Sequence, residues 1–358
     1  MGVPGVEDVA LLAGWLESNG LPAAIPDVQL IAGGRSNLTY RLDFPSDPAP
    51  RLVLRRPPLG HVLPTAHDMA REYRVITALH GTDVPVPRPV ALCEDPSVIG
   101  APFYLMEWVD GVVLRTREDG DSLTPSMAGE LSRRFVGMLA TIHGLAVEEV
   151  GLGGFGRPEG YLARQLTRWQ RQWELSATRE MPGYEELIGR LAAGLPSITG
   201  ARSAQAEQAL AAGSLVHGDF RLDNMLITLA GEPEIAAVVD WEMSTLGDPL
   251  ADLGLTLVYW ADPGEEDLLQ FGGRGGLTAS PGFLTRAELA QHYAEITGRD
   301  LSRLGYYMAF GCFKLAVVLE GIHARYLQRK TVGEGFDRQG EVVPALIERA
   351  HQLLNVGA

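Results

Sequence analysis

Leu215 to Leu253 reads LVHGDFRLDNMLITLAGEPEIAAVVDWEMSTLGDPLADL. His217, Asp219 and Asn224 fall in one short run, and Asp240 follows twenty-one residues after Asp219, at the end of a second apolar run. Met225-Leu226-Ile227, the turn residues Gly231-Glu232-Pro233 and the stretch Ile235 to Val239 have the pattern of a hairpin. Such a hairpin brings Asn224 and Asp240 side by side at its open end, next to Asp219. An amide oxygen and a carboxylate are the hard oxygen donors that Mg2+ takes together with substrate phosphates. Asp219 can then orient a hydroxyl and accept its proton. Taken singly, each of these residues would serve as a turn or a strand end; their register across one linker argues for a shared site.

The spacing also follows the catalytic frame of protein kinases, H-R-D-L-x-x-x-N with a later metal-binding Asp. Here it stands as His217-Gly218-Asp219-Phe220-Arg221-Leu222-Asp223-Asn224, with Asp240-Trp241-Glu242 in the second place. The chain resembles the aminoglycoside phosphotransferase and choline kinase-like family. That family's HGD-x-x-x-x-N and DWE-x-x-x-x-GDP-x-x-DL patterns match His217 to Asn224, Asp240 to Glu242, Gly247-Asp248-Pro249 and Asp252-Leu253. Gly151 to Glu174, GLGGFGRPEGYLARQLTRWQRQWE, is similar to the branch containing the kinase-like domain of acyl-CoA dehydrogenase family members 10 and 11. The resemblance runs from about Leu30 to Arg329. It implies a two-lobed α+β protein-kinase-like fold, with a small antiparallel-sheet N-lobe at 1–107 and a larger, mainly helical C-lobe at 108–358. It further implies an ATP·Mg2+ site between the lobes and transfer of the γ-phosphate to a hydroxyl of a small molecule. In that frame Asp219 is the base, Arg221 a charge stabiliser, and Asn224 and Asp240 the metal ligands. Asp248 and Asp252 are expected to hold the catalytic loop and not the metal.

The N-terminal third fits the same frame. Val6 to Ser18 carries Val9, Leu12, Trp15 and Leu16 at helical spacing. Val28 to Ile31, then Gly33-Gly34-Arg35-Ser36-Asn37, then Leu38 to Phe44 read as strand, glycine turn and strand. Gly33, Gly34, Ser36 and Asn37 are the candidates for a loop whose backbone closes over phosphates, since glycine allows close approach. Arg51 to Arg56 reads as the next strand, with Val53 and Arg55 on one face and Leu52, Leu54 and Arg56 on the other. Arg55 stands where the kinase signature has its phosphate-pairing lysine. Arginine can still bind phosphate or carboxylate, through a planar fork. Thr65 to Leu79 is helical by pattern, with Glu72 at the border of its apolar face. An Arg55–Glu72 ion pair would satisfy both residues. Phe103 to Met106 reads as a strand leading into Glu107-Trp108-Val109-Asp110-Gly111, where backbone groups of Glu107 and Val109 would read an adenine edge.

Composition narrows the class. The 358-residue chain is 46% hydrophobic and 21% charged, as in a folded globular enzyme. Cys93 and Cys312 are its two cysteines, too few for a disulfide framework or a metal cluster, and a reducing cytoplasm is the expected compartment. A net charge of −15 argues against nucleic acid as partner, and no uncharged apolar run reaches the roughly eighteen residues of a membrane span. The N-terminus lacks a basic segment and a myristoylation pattern. Monomer and homodimer both stay open.

Gly151-Leu152-Gly153-Gly154-Phe155-Gly156 matches G-x-G-x-x-G, yet a helical pattern precedes it, so a dinucleotide fold is rejected. Arg164, Arg168 and Arg171 share a stripe on the helix from Tyr161 to Ser176, as a solvated face or as a collar for an anionic acceptor. Thr285-Arg286-Ala287-Glu288 has the form of a capping box, and Leu304 to Gln328 that of a buried helix whose Lys314, Glu320, His323 and Arg325 could face the acceptor. The acceptor itself stays open between an aminoglycoside-like compound and a hydroxyacyl-CoA or hydroxy acid. A nucleotide-binding pseudokinase or regulatory module is the alternative raised by Arg55.

Overall fold

The computed structural model describes residues 3–22, 24–31, 37–45, 51–59, 67–196, 213–265, 276–328 and 338–356. Gly33, Gly34 and Ser36 lie outside the described residues. The chain divides into two units, Met1–Gly111 with Ala236–Ser244, and Val112–Ile235 with Thr245–Ala358. The division expected after Glu107 thus falls after Gly111. Ala236–Ser244, expected with the helical unit, groups with the first. The physical reason is local: the Val238 N–H donates to the Pro85 carbonyl at 2.8 Å, and Arg71 reaches the Ser244 carbonyl at 3.2 Å.

The first unit is an antiparallel sheet with one helix on each face. Strands β1 (Asp27–Leu30), β2 (Leu38–Asp43), β3 (Leu52–Arg56), β4 (Pro89–Cys93) and β5 (Phe103–Glu107) lie in the order β1-β2-β3-β5-β4. Alternation along the strands decides the two faces. Tyr40, Leu42, Leu52, Leu54, Phe103 and Leu105 form one core with Leu12 and Leu16 of helix α1 (Val9–Ser18). Residues one position away in register, Thr39, Arg55 and Tyr104, stand in a row across β2, β3 and β5 on the opposite face. Helix α2 (Met69–Leu79) has Met69, Glu72, Val75, Ile76 and Leu79 buried, at the i, i+3, i+4 spacing of one stripe. Glu72 therefore sits within the apolar stripe and not at its border. Asp68 caps this helix by accepting the Arg71 N–H at 2.9 Å.

The second unit is mainly helical. Its helices are α3 (Arg117–Asp121), α4 (Pro125–His143), α5 (Tyr161–Ser176), α6 (Tyr184–Ala193), α7 (Pro249–Tyr259), α8 (Arg286–Thr297), α9 (Leu304–Leu327) and α10 (Gln339–Val356). Strand β6 (Ser214–Val216) pairs antiparallel with β9 (Thr245–Gly247), and β7 (Met225–Thr228) pairs with β8 (Glu234–Val238). The expected hairpin is present, and the chain passes from one unit to the other within β8. The expected capping box closes around Thr285 and Glu288. The G-x-G-x-x-G match lies in the connection from helix α4 to helix α5, not after a strand. Helix α9 is long and apolar enough to cross a membrane by length and composition, but 72% of its apolar window is buried inside the protein and it carries Lys314 and Glu320. It is the core helix of this unit, packed by α5, α7 and α10.

The α7–α9 contact is backbone-close. A Cβ on Gly254 would sit 2.5 Å from the Tyr307 carbonyl carbon and oxygen, and one on Gly311 would sit 3.0 Å from Leu255 Cα. Gly254→Ala should therefore destabilise the protein by about 1–3 kcal/mol through overpacking, visible as a lowered urea midpoint at unchanged m. A midpoint equal to wild type would show that the two helices separate freely.

Candidate active site

In the first unit, β3 and α2 place a buried cluster. Arg55 Nε donates to Glu72 Oε2 at 3.1 Å, Nη1 to Thr39 Oγ1 at 3.4 Å, and Nη2 to Asp240 Oδ1. The expected Arg55–Glu72 pair is thus formed, and the same fork also holds Asp240. The Arg55 side chain is 11% exposed and that of Glu72 1%, which excludes an exposed strand end. Asn37, whose backbone is expected to serve the phosphate loop, turns its side chain inward: Nδ2 donates to Glu242 Oε2 at 2.8 Å and lies 3.5 Å from Glu72 Oε2. Any phosphate contact from Asn37 is thereby confined to its backbone.

Charge balance here is uneven. Glu72 is pushed up to about 7 by burial, against the pull of Arg55 and with Asp240 and Glu242 adding repulsion. Burial also works against the Arg55 charge, but Asp240 and Glu72 together hold the guanidinium more firmly protonated than usual. Two carboxylates, Glu72 and Asp240, share the fork, and Glu242 adds a third negative charge nearby. Asp240 itself adopts φ 68°, ψ 58°. It and His67 are the non-glycine residues with positive φ among the described residues. Left-handed backbone at a non-glycine residue costs free energy and is held by its surroundings, here the Arg55 fork.

The hinge-like stretch uses part of its backbone internally. The Glu107 N–H donates to the Arg88 carbonyl and the Trp108 N–H to the Arg51 carbonyl, each at 2.9 Å. This narrows the contribution of Glu107 toward a base to its carbonyl. Its side chain is paired with Arg88.

In the second unit, the loop from His217 to Asn224 is pinned by α7. Asp252 accepts the His217 N–H at 2.7 Å and the Gly218 N–H at 2.9 Å, and Thr256 Oγ1 donates to the Phe220 carbonyl at 3.0 Å. Asn224 Nδ2 donates to the Asp219 carbonyl at 2.8 Å and to Asp219 Oδ2 at 3.1 Å. Burial and the neighbouring Asp219 carboxylate raise the Tyr259 hydroxyl pKa well above its ordinary value. Arg221 Nη2 pairs with Asp223 at 2.5 Å, and its guanidinium lies 5.0 Å from the centroid of the Tyr259 ring. Asp248 caps α7 through the Leu250 N–H and accepts the Tyr307 hydroxyl at 2.8 Å. Asp248 and Asp252 are structural partners, as expected.

His143 completes the support. Its Nδ1 lies 2.7 Å from the Tyr293 hydroxyl and its Nε2 3.3 Å from Asp252 Oδ2. Tyr293 donates to Nδ1, so the proton on the ring sits at Nε2 and points to Asp252. The ring is neutral: burial lowers the His143 pKa against the pull of Asp252. Burial would raise Asp252, but His143, His217 and the backbone N–H outweigh it and hold the carboxyl below its usual range.

Tyr104, Tyr259 and Thr256 were not singled out by the sequence, because a tyrosine or threonine on a strand or helix carries no signal until its neighbours are known. Of the four α9 residues expected near the acceptor, Glu320 instead anchors Thr178, accepting its N–H at 2.9 Å and its hydroxyl at 2.6 Å. Arg325 is exposed on the last turn, His323 packs beside Gly340, and Lys314 approaches the catalytic loop.

A model described as "Phosphotransferase enzyme family" matches residues 27–289. The chain belongs to that family. Acyl-CoA dehydrogenase family member 10 of Mus musculus and family member 11 of Gallus gallus are each 34% identical to it, over 88% and 93% of this chain. The chain spans 28% and 41% of the lengths of those relatives. A solved structure of a candidate aminoglycoside phosphotransferase from Ralstonia eutropha JMP134 is 32% identical over 98% of both chains, with a TM-score of 0.78. The fold is that of the family, and the resemblance read from the HGD and DWE motifs stands.

The neutral state of His143 fixes a sign. Native His143 resists the proton that the unfolded chain takes up below about pH 6.5, so stability falls as pH drops through that value. Asp252 contributes stability above its unfolded value and loses it only in stronger acid. Wild-type stability should fall through this histidine as pH drops from about 7.5 to about 5.5, and His143→Asn should flatten that slope in urea melts. An unchanged slope would dismiss the neutral ring.

Proposed function

We propose that the protein is a small-molecule kinase that moves the γ-phosphate of ATP to a hydroxyl, with Mg2+. The observation that carries this reading is the Asp219 carboxylate, held by the Asn224 amide on a loop pinned by Asp252. Asp219 orients the acceptor hydroxyl and takes its proton as the oxygen bonds to the γ-phosphorus and the bond to ADP breaks. Little covalent work is left to the protein, so positioning and charge neutralisation dominate.

Asn224 and Asp240 are the proposed Mg2+ ligands. Their chemistry fits: Asn224 commits Nδ2 to Asp219, so its amide oxygen is the atom that would meet a metal, and Asp240 supplies a carboxylate. Asn224 immediately precedes β7 in the chain, and Asp240 follows β8. Bound there, the ion would neutralise phosphate charge. Arg55 and Glu72 set the phosphates, assisted by the backbone of Gly33, Gly34, Ser36 and Asn37. The carbonyl of Glu107 and backbone of Val109 read the base, and Arg221 offsets charge on the transferred group.

For the acceptor, two classes are proposed, an aminoglycoside-like compound and a hydroxyacyl-CoA or hydroxy acid. The Ralstonia protein supports the first and the acyl-CoA dehydrogenase relatives the second. Arg164 donates to the Arg157 and Glu159 carbonyls, and Arg168 lies 5.4 Å from the Trp169 ring centroid, so the stripe on α5 offers Arg171 more openly than its neighbours. The buried free thiols of Cys93 and Cys312 suit a reducing cytoplasm. No nucleic-acid or membrane partner is proposed.

Asp219→Ala should lower Mg2+-dependent ADP release by roughly 10²–10⁴-fold on a panel of hydroxylated acceptors, while ATP binding by calorimetry survives. Unchanged turnover removes Asp219 from the mechanism. A wild-type protein that binds ATP yet releases no ADP with any acceptor favours the regulatory module.

A further inference from the structure

Of the 30 basic residues in the chain only two are lysines, Lys314 and Lys330. Lys314 lies in the middle of α9, between buried Phe313 and Leu315. A neutral apolar side chain would fill this position on a core helix at lower desolvation cost. The ammonium has specific company. Nζ donates to the Gly218 carbonyl at 2.7 Å across 96 residues of chain, and stands 5.5 Å from the centroid of the Trp169 ring on α5.

Gly218 is the residue before Asp219. Its φ of +83° is one that glycine adopts without a Cβ penalty, and it aims the carbonyl at α9. Its N–H is taken by Asp252 from α7, as described above. The peptide that joins Gly218 to Asp219 is held at both ends as well: Lys314 takes the carbonyl, and the Asp219 N–H donates to His217 Nδ1 at 3.3 Å. Burial depresses the Lys314 pKa, and the charges of Asp219 and Asp252 oppose that.

We infer that Lys314 is a positioning residue for phosphoryl transfer, its ammonium fixing the peptide that carries Asp219 so that the carboxylate meets the acceptor hydroxyl in reactive geometry. This inference rests on the kinase reading above. Lys314 acts through Gly218, and an error of about 1 Å in the placement of a catalytic group costs on the order of a hundredfold in rate. Its loss should therefore appear in kcat and not in nucleotide affinity.

Lys314→Met keeps the stem and removes the charge; Lys314→Arg keeps a charge and donors. With an acceptor that wild type phosphorylates, Lys314→Met should lower kcat about a hundredfold, with KM for ATP within about threefold and Tm within a few degrees. Lys314→Arg should recover at least about tenfold of that loss. A kcat equal to wild type, or a loss matched by a collapse in Tm and not relieved by arginine, overturns the inference. Amide hydrogen exchange over residues 215–225 gives a reading that needs no turnover. Lys314→Met should speed exchange there and leave α4 unchanged, and equal protection in both proteins overturns the inference even if the wild type proves inactive. Inactivity of wild type with loosened exchange in the variant would instead fault only the kinase reading.

Discussion

In the larger unit the start of the His217–Asn224 loop hangs from one buried carboxylate. Asp252 sits one turn into α7 and accepts two consecutive backbone N–H groups, those of His217 and Gly218. A carboxylate accepting backbone donors inside a protein makes charge-assisted bonds, worth roughly twice neutral ones. Consecutive donors also fix orientation, because two bonds to one group leave the loop no axis to turn about. His143 faces Asp252 from α4 and Tyr293 holds His143 from α8, so three helices converge on the support of a single loop. The rigidity of Asp219 is thus borrowed from the helical core.

The smaller unit solves a related problem on a sheet. β3 is central and buried on both faces, so Arg55 can exist there only if its charge is answered. The answers come from α2 through Glu72 and from the Ala236–Ser244 stretch through Asp240. This second answer explains why a segment distant in sequence groups with the sheet: it brings the acid that a buried guanidinium needs. The price falls on Glu72, whose burial among other acids raises its pKa.

Much of this was legible from residue order alone. The hairpin from Met225 to Val239, the ion pair of Arg55 with Glu72 and the supporting roles of Asp248 and Asp252 all follow from local pattern plus the chemistry that the motifs demand. The unread part was tertiary. Nothing local in Ala236–Ser244 tells which unit it joins, since a short strand and a turn pack equally well on either side until the partners of Val238 and Asp240 are known. Nor does the glycine turn beside Asn37 tell where its side chain goes; the carboxylates of Glu242 and Glu72 capture its amide. Tyr259 and Thr256 look like ordinary residues of an apolar helix; their polar atoms matter only because that helix lies under the loop.

The two exceptional cations show how side-chain shape, and not charge alone, is selected. At position 55 the cation must answer Glu72 and Asp240 while reaching Thr39, three directions that a planar fork spans and a point charge cannot. An arginine where a lysine is usual is therefore matched to its surroundings and does not by itself signal lost function. At position 314 the demand is reversed. One carbonyl and one aromatic face ask for a single charged donor, which an ammonium at the end of a slender stem supplies and a guanidinium can supply in part. In a chain that otherwise takes its positive charge almost wholly from arginine, that lysine marks a place where the geometry around the Gly218 carbonyl has decided the residue.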